Sequence, residues 1–242
     1  MKPKLNRRSR RKSLDLIDIT ATGQRQATVE ILREARTAEK LDELADNALS
    51  FADSILEVVR DKLPPERPVA CKEGCSWCCV IVVQTTIPEV LRIARHLRQS
   101  LTEEQLLHLS RRIDEVLDGR RQGRRVPCPL LRDECCSVYP VRPLNCWGWN
   151  SHDARRCQTY AETGHGATPV YIPQKEIAIG VAHGVIQGLG QVGLSGQKVE
   201  LLRALKIALE SPDSERRYLA GERIFAPARW EPALAEADRL AG

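Results

Sequence analysis

Four cysteines within nine residues, Cys71, Cys75, Cys78 and Cys79, are the most informative chemical feature of the chain. The other cysteines follow downstream, at Cys128, Cys135, Cys136, Cys146 and Cys157. All nine lie between positions 71 and 157, whereas cysteines that only fill a core scatter along a chain as small hydrophobic residues do. Clustered thiolates select soft or borderline ions, namely zinc, copper(I) or the iron of iron–sulfur clusters. The clustering therefore predicts a metal site.

Disulfides and a redox dithiol are alternative explanations of these cysteines. The odd number leaves one thiol unpaired, and nothing in the sequence indicates an oxidising compartment. A dithiol at Cys75 and Cys78 has the C-x-x-C spacing, but the βαβ setting typical of such motifs is absent. A zinc ribbon needs two C-x-x-C knuckles, and this sequence has one. The wide spacing of the downstream cysteines favours an iron–sulfur cluster over zinc without excluding zinc.

Both cysteine groups together resemble a known family. The first group reads C-x3-C-x2-C-C, and the second contains Cys128-Pro129-Leu130-Leu131 and then C-x2-Y-x2-R-P-x2-C from Cys136 to Cys146. This pattern resembles the signature of the YkgJ-type cysteine-cluster family of zinc- or iron-chelating domains, over about residues 70–160. The resemblance implies that Cys135 is supernumerary and that the metal ligands are Cys71, Cys75, Cys78, Cys79, Cys128, Cys136, Cys146 and Cys157. The family often has arginine where this chain has Trp147.

Two further residues of the signature are expected beside the metal. Arg142 would offset the negative charge of the thiolates or donate hydrogen bonds to sulfur, and Tyr139 would pack against the neighbouring prolines. His152 is the best candidate for a ligand other than cysteine, although solvent exposure is the simpler expectation for a lone histidine in a loop. The cofactor implied is an iron–sulfur cluster, with the 4Fe-4S type favoured, or zinc.

Two enzyme classes stay open as alternatives. Flagellin lysine N-methylase is similar over such a cysteine region, which implies a cluster-dependent modifying enzyme. The stretch from Cys71 to Cys78 also resembles the C-x3-C-x-aromatic-C signature of radical S-adenosylmethionine enzymes. In those enzymes the motif follows a barrel strand and precedes repeated strand–helix units, which this sequence does not predict. No catalytic residue is assigned.

Composition and charge favour a mainly α-helical protein. Aromatic residues make up 4% of the chain, while Ala, Leu, Glu and Arg are abundant. No apolar run approaches the roughly 20 residues that span a bilayer, and no secretory signal is present, so a cytoplasmic location with an unidentified protein partner is expected. The first twelve residues hold seven cations and no acid, which leaves −2 of the +5 net charge for the rest. Nucleic-acid binding is therefore not expected, except weakly through this tail.

Periodicity divides the chain into four segments. These are a basic disordered tail (1–22), a helical segment (23–66), the cysteine-cluster metal-binding domain (67–165) and a C-terminal helical segment (166–242). The helical segment before the cysteines fits two helices with a break near 37–40. Residues 80–86 read as a short strand, and a helix starts at Thr85 or Thr86.

Later elements follow the same reasoning. Thr102 with Gln105 predicts the start of a helix over 103–118, and prolines make 127–173 irregular. Helices are predicted near 175–187, where Gly180 and Gly184 weaken the pattern, and near 199–209, 214–219 and 231–240. The prediction is a mainly α protein whose helices pack around an irregular, metal-stapled cysteine module.

Overall fold

The computed structural model describes residues 7–72 and 74–231, with side chains from residue 15 onward. This part of the chain is mainly helical, as predicted. The helices are α1 (Arg7–Glu34), α2 (Ala38–Lys62), α3 (Ile87–Ser100), α4 (Glu103–Arg121), α5 (Leu144–Gly148), α6 (Ala154–Thr163), α7 (Ile172–Gln191), α8 (Leu201–Glu210) and α9 (Ser214–Leu219). The strands are β1 (Gln84–Thr86), β2 (Leu131–Arg132), β3 (Cys135–Cys136) and β4 (Lys198–Glu200).

Helices α1 and α7 approach each other closely because α7 presents glycines at four-residue spacing. A β-carbon added at Gly184 would lie 2.5 Å from the carbonyl oxygen of Ala21, and one added at Gly188 would lie 2.5 Å from the β-carbon of Thr28. Glycine weakens an isolated helix, which is why the sequence pattern is weak here. In the folded chain these glycines are what allows the two backbones to meet.

The N-terminal segment differs from the predicted tail, because α1 begins at Arg7 rather than after residue 22. Thr20 and Ala21 are buried, and the Thr20 hydroxyl donates to the carbonyl of Leu16 at 2.8 Å. Burial of this turn against α7 favours a helix that the cation-rich composition alone does not predict. The break between α1 and α2 lies at residues 35–37, where Thr37 caps α2 by accepting from the backbone N–H of Lys40.

The helical frame consists of six helices, α1, α2 and α7 and then α3, α4 and α8. Thr86 and Glu89 make a capping box at the start of α3, and Thr102 and Gln105 make one at the start of α4. Strand β1 pairs antiparallel with β4, with Thr85 opposite Val199. The strand predicted over 80–86 is shorter than expected, since β1 covers only its last three residues and Val80 belongs to the 3-10 turn Trp77–Val80.

The region predicted as irregular, 127–173, contains short elements instead of none. Strands β2 and β3 form a hairpin whose two turn residues, Asp133 and Glu134, have φ angles of 49° and 62°. Two short helices, α5 and α6, follow before α7 begins. These elements are too short to form a core of their own, so the region rests on the surrounding helices.

The predicted helix near 231–240 lies outside the described residues, and the four-segment division stays a prediction. Within 7–72 and 74–231 every strand pair is antiparallel, so the parallel barrel of radical S-adenosylmethionine enzymes is absent from that part. Among the helices of these same residues, none combines the length and the apolar character that crossing a membrane requires.

Candidate metal centre

The first cysteine group lies on a loop and the 3-10 turn that ends it. Cys71 and Cys75 are on the loop, and Cys78 and Cys79 are consecutive in the turn. Successive residues of a 3-10 helix are rotated by about 120°, so neighbouring side chains point in different directions. The two thiols still share a hydrogen bond, which lowers the pKa of Cys78 and raises the pKa of Cys79. This pair stands between two sets of cysteines.

The outer set consists of Cys71, Cys75, Cys78 and Cys157. Cys157 comes from α6, which packs against the 3-10 turn. Partial burial raises the pKa of Cys71 and of Cys157, and the charges of Cys75 and Cys78 raise both further. Buried Ser151 contacts both thiols and accepts a backbone hydrogen bond from Ala70 through its carbonyl at 2.8 Å. The structure thus brings together residues from positions 71 and 157.

The inner set consists of Cys79, Cys128, Cys136 and Cys146. The N–H of Cys128 donates to the carbonyl of Cys79 at 2.7 Å, and this backbone hydrogen bond joins the downstream cysteines to the first cysteine group. Burial raises the pKa of Cys128 to about 11 and that of Cys146 well above its ordinary value. The charges of Cys128, Cys136 and Cys78 also raise the pKa of Cys146. These thiols are therefore close enough to repel one another once they ionise.

The arrangement is not a closed coordination shell. In residues 7–72 and 74–231, no three side chains of His, Cys, Asp or Glu are grouped tightly enough to hold a metal ion. The cysteines come together from separate loops, and each ionised thiol raises the pKa of its neighbours. In the described residues they are not close enough to hold one metal ion together.

Cys135 differs from the eight other cysteines in its position. It pairs with Arg132 at the end of the hairpin and is exposed, whereas Cys136 is partly buried. Successive residues of a strand point to opposite faces, so Cys135 faces away from the inner set. This placement agrees with its supernumerary position in the family signature.

The other candidate residues have identifiable contacts. The guanidinium of Arg142 lies 3.9 Å from the ring centroid of the exposed Tyr139, and its charge lowers the pKa of the Cys136 thiol against the larger effect of burial. His152 places Nδ1 3.2 Å from the carbonyl oxygen of Pro68 and packs edge-on against Tyr171. His152 therefore has a structural contact and is not grouped with cysteines as a ligand in the described residues.

Trp147, at the position where the family often has arginine, joins the cysteine region to the helical frame. It is 4% exposed, and its indole N–H donates to Asp53 of α2 at 2.8 Å. The departure from the family pattern thus coincides with a contact to a helix outside the signature.

Glu89 completes the capping box of α3 and also contacts the cysteine region. One carboxylate oxygen accepts from the Thr85 hydroxyl and from both the N–H and the hydroxyl of Thr86. The other accepts from the backbone N–H of Leu144 at 2.6 Å, at the start of the helix that carries Cys146. No local pattern could reveal this contact, because the two residues lie 55 positions apart.

The donor set fits a soft metal centre. Ionised thiols raise one another's pKa here, and a bound cation would remove that repulsion. Two buried guanidinium nitrogens beside the inner set, Nε of Arg120 and Nε of Arg142, have no hydrogen-bond partner in the described part of the chain. Negatively charged sulfur is an acceptor that such N–H groups suit. Eight thiols would hold zinc or iron, without oxygen ligands.

Residues 70–163 match a family model described as "CxxCxxCC: Putative zinc- or iron-chelating domain". No curated protein and no solved structure matches the chain. The matched region contains all nine cysteines and leaves α1, α2 and α7 to α9 outside it. The family resemblance predicted from the cysteine spacing is confirmed. Over residues 70–163, this chain is similar to the CxxCxxCC family, whose description is that of zinc or iron chelation.

Proposed function

We propose that this protein binds metal through two thiolate centres, one in the outer set and one in the inner set. The observation that carries the proposal is the convergence of eight cysteines on the consecutive pair Cys78 and Cys79, with Cys71 and Cys157 acting on one another near this pair and Cys128 and Cys146 doing the same. Four thiolates are the usual ligand number for zinc and for a 4Fe-4S cluster. The ligands are the eight cysteines of the family signature.

Iron–sulfur clusters are the favoured occupants, and a redox or iron-handling role follows from them. Cluster ligands often arrive from separate loops, and here they come from loops, a 3-10 turn, a hairpin and two helices. Burial of the inner thiols supports this assignment, because solvent exposure and hydrogen bonds to sulfur set the reduction potential of a cluster. The outer set, with the exposed Cys71, is the more accessible centre.

A structural zinc module is the second candidate. The elements between residues 127 and 163 are short, and structural zinc supplies folding free energy to such regions. In that case the protein would act through an interaction surface, and the metal would only hold the loops.

Elemental analysis of the full chain after anaerobic purification decides between these candidates. Iron with an equal amount of acid-labile sulfide, and absorbance near 400 nm, supports the cluster. Zinc without sulfide supports the structural module. Absence of both metals from protein that is folded by circular dichroism, before and after incubation with either ion, would overturn metal binding.

Single substitutions test the division into two sets. Cys157→Ser should remove about half of the bound metal, and Cys146→Ser should remove the other half, because each disrupts one centre. The matched control is Cys135→Ser, which changes an exposed cysteine of the same domain and should leave the metal content unchanged. Complete loss of metal from either single variant would instead indicate one shared centre.

A further inference from the structure

Arg120 is a buried charge that the cysteine signature does not contain. It lies in the last turn of α4, and its side chain is 10% exposed. Arginine is seldom buried to this degree unless it is paired, because removing its charge from water is costly. The contacts of Arg120 therefore indicate which negative charges its guanidinium balances.

Three nitrogens of the guanidinium have different surroundings. Nη2 donates to the carbonyl of Ile81 at 3.2 Å, and Nη1 lies 3.7 Å from a carboxylate oxygen of Glu200, which is 2% exposed. Nε is buried and has no hydrogen-bond partner in the described part of the chain. The pair with Glu200 is long, and that carboxylate also accepts from the backbone N–H groups of Leu202 and Arg203. Glu200 therefore satisfies only part of the Arg120 charge.

The guanidinium lies beside the cysteine-bearing turn. Nη2 holds the carbonyl of Ile81, the residue that ends this turn, and Ile81 donates its own N–H to the carbonyl of Cys78 at 3.3 Å. Cys128 reaches the same turn, because its N–H donates to the carbonyl of Cys79 at 2.7 Å. Burial raises the pKa of the Cys128 thiol, and the opposite charges of Arg120 and Glu200 add smaller effects of opposite sign.

We propose that Arg120 offsets the negative charge of the metal centre held by the inner cysteine set, and that the nearby Glu200 reduces this effect. This inference rests on the proposed function. Four protonated thiols are neutral, whereas a divalent cation held by four thiolates carries two net negative charges. A buried positive charge therefore stabilises the loaded site relative to the empty one. The unpartnered Nε–H is available to sulfur in the loaded site.

Competition with a chelator measures the effect as an apparent zinc affinity of the purified full chain. Arg120→Gln removes the charge and keeps a donor, and Arg120→Lys keeps the charge. Loss of such a residue beside a metal typically lowers affinity by about 10- to 100-fold, so Arg120→Gln should weaken the inner site at least about tenfold and Arg120→Lys should restore most of it. Arg98→Gln is the matched control, since Arg98 is a partly buried arginine that donates to the carbonyl of Ala208.

Glu200→Gln separates electrostatics from damage to the fold. Removing this negative charge should raise zinc affinity, because Glu200 opposes the charge of Arg120 at Cys128, whereas structural damage lowers affinity in every variant. Equal losses in Arg120→Gln, Arg120→Lys and Glu200→Gln would overturn the inference, and so would wild-type affinity in Arg120→Gln. A wild-type chain that binds neither zinc nor iron would overturn the proposed function itself.

Discussion

The helical frame and the cysteine domain without α3 and α4, that is residues 71–83 and 124–163, are held together by different interactions. In the frame, leucine and valine side chains such as Leu32, Leu44, Val181 and Leu205 are at most 1% exposed and form a continuous core. In the cysteine domain, α5 has five residues, each hairpin strand has two, and most of the cysteines are only partly buried. The frame thus holds most of the buried apolar side chains, and the cysteine loops add a few to the same core, such as Leu130, Val138 and Trp147.

This difference indicates which region depends on the metal for its stability. Apolar burial contributes roughly 25 cal/mol for each Å², so the frame can fold without any ligand. Loops that contribute little apolar area depend on another source of free energy, and metal binding to thiolates is one. Hydrogen bonds that join the two regions include those from Trp147 to Asp53, from the N–H of Leu144 to Glu89 and from Gln174 of α7 to the carbonyl of Trp147.

Removal of the metal should produce the largest effect, and it should be confined to the cysteine domain. In the metal-free protein, amide hydrogen exchange should accelerate by at least about a hundredfold in residues 71–83 and 124–163, since those loops lose the free energy of metal binding. Exchange in α1 and α7 should change little. The measurement is hydrogen–deuterium exchange with mass spectrometry before and after chelation.

The same experiment contains its own control in the α1–α7 contact. If α1 and α7 lose protection together with the cysteine loops, the two regions form one cooperative unit and the comparison fails. If neither region changes, metal contributes nothing to the loops.

Substitution of Gly184 should break the frame and spare the cysteine domain. The leucine side chain of Gly184→Leu would enter the space of the Ala21 carbonyl and the Gln24 β-carbon, at 2.5 and 2.7 Å from its own β-carbon. Overpacking of this kind costs about 3 kcal/mol of unfolding free energy. Urea unfolding, followed by circular dichroism, measures this cost.

Gly190→Ala is the matched control for that substitution. Gly190 lies in the same helix with no atom within 4 Å of an added β-carbon, and alanine there should stabilise the helix by about 0.5–1 kcal/mol. Both variants should keep the wild-type metal content. Equal stability of the two variants would show that close glycine packing does not hold α1 to α7.

The frame could be predicted from local patterns, because its signals are local. The helical period and the capping residues Thr37, Thr86 and Thr102 fall where α2, α3 and α4 begin. The helix at residues 7–22 could not be predicted in this way. Its cations favour disorder, and the α7 surface that covers Thr20 lies about 160 residues away in sequence.

The cysteine domain could be recognised from spacing, but its internal arrangement could not. The signature lists eight cysteines without saying that Cys157 joins the group of Cys71 while Cys146 joins that of Cys128. Arg120 lies outside the signature, and no residue near it in sequence indicates that its charge acts on Cys128. Such contacts depend on how α4, α6 and the hairpin pack, which follows from the frame.

Glu89→Gln should weaken the contact between α3 of the frame and the start of α5 in the cysteine domain. Four donors converge on its carboxylate, and an amide can turn only one acceptor oxygen toward them, so its NH2 group would face an N–H or a hydroxyl. The unmet buried groups should cost about 2 kcal/mol of unfolding free energy. The start of α5 should loosen, and metal content at the inner set should fall.

Thr102→Ala tests whether the loss of metal is specific to the contact between α3 and α5. It removes a comparable capping contact at the exposed start of α4, at about 1 kcal/mol. Metal content should stay at the wild-type level in Thr102→Ala while it falls in Glu89→Gln. Parallel losses of metal in both would mean that general destabilisation, rather than the placement of Cys146, controls loading.

Alkaline pH should give the smallest effect and should act only on the metal-free cysteine domain. Burial raises the pKa of Cys128 from 9.0 to about 11, so between these values the unfolded chain binds fewer protons than the folded one. The contribution of Cys128 to the stability of the metal-free protein should therefore be fully present below pH 9. As the pH rises to 11, loss of this contribution should lower the free energy of unfolding by about 1–2 kcal/mol. The loaded protein has no thiol proton to lose at its ligands, so its stability should fall less over this range. Cys128→Ala should reduce the slope in the metal-free protein without abolishing it, because Cys71, Cys146 and Cys157 keep their raised pKa values. An equal slope in loaded and metal-free protein would place the titrating group in the frame instead.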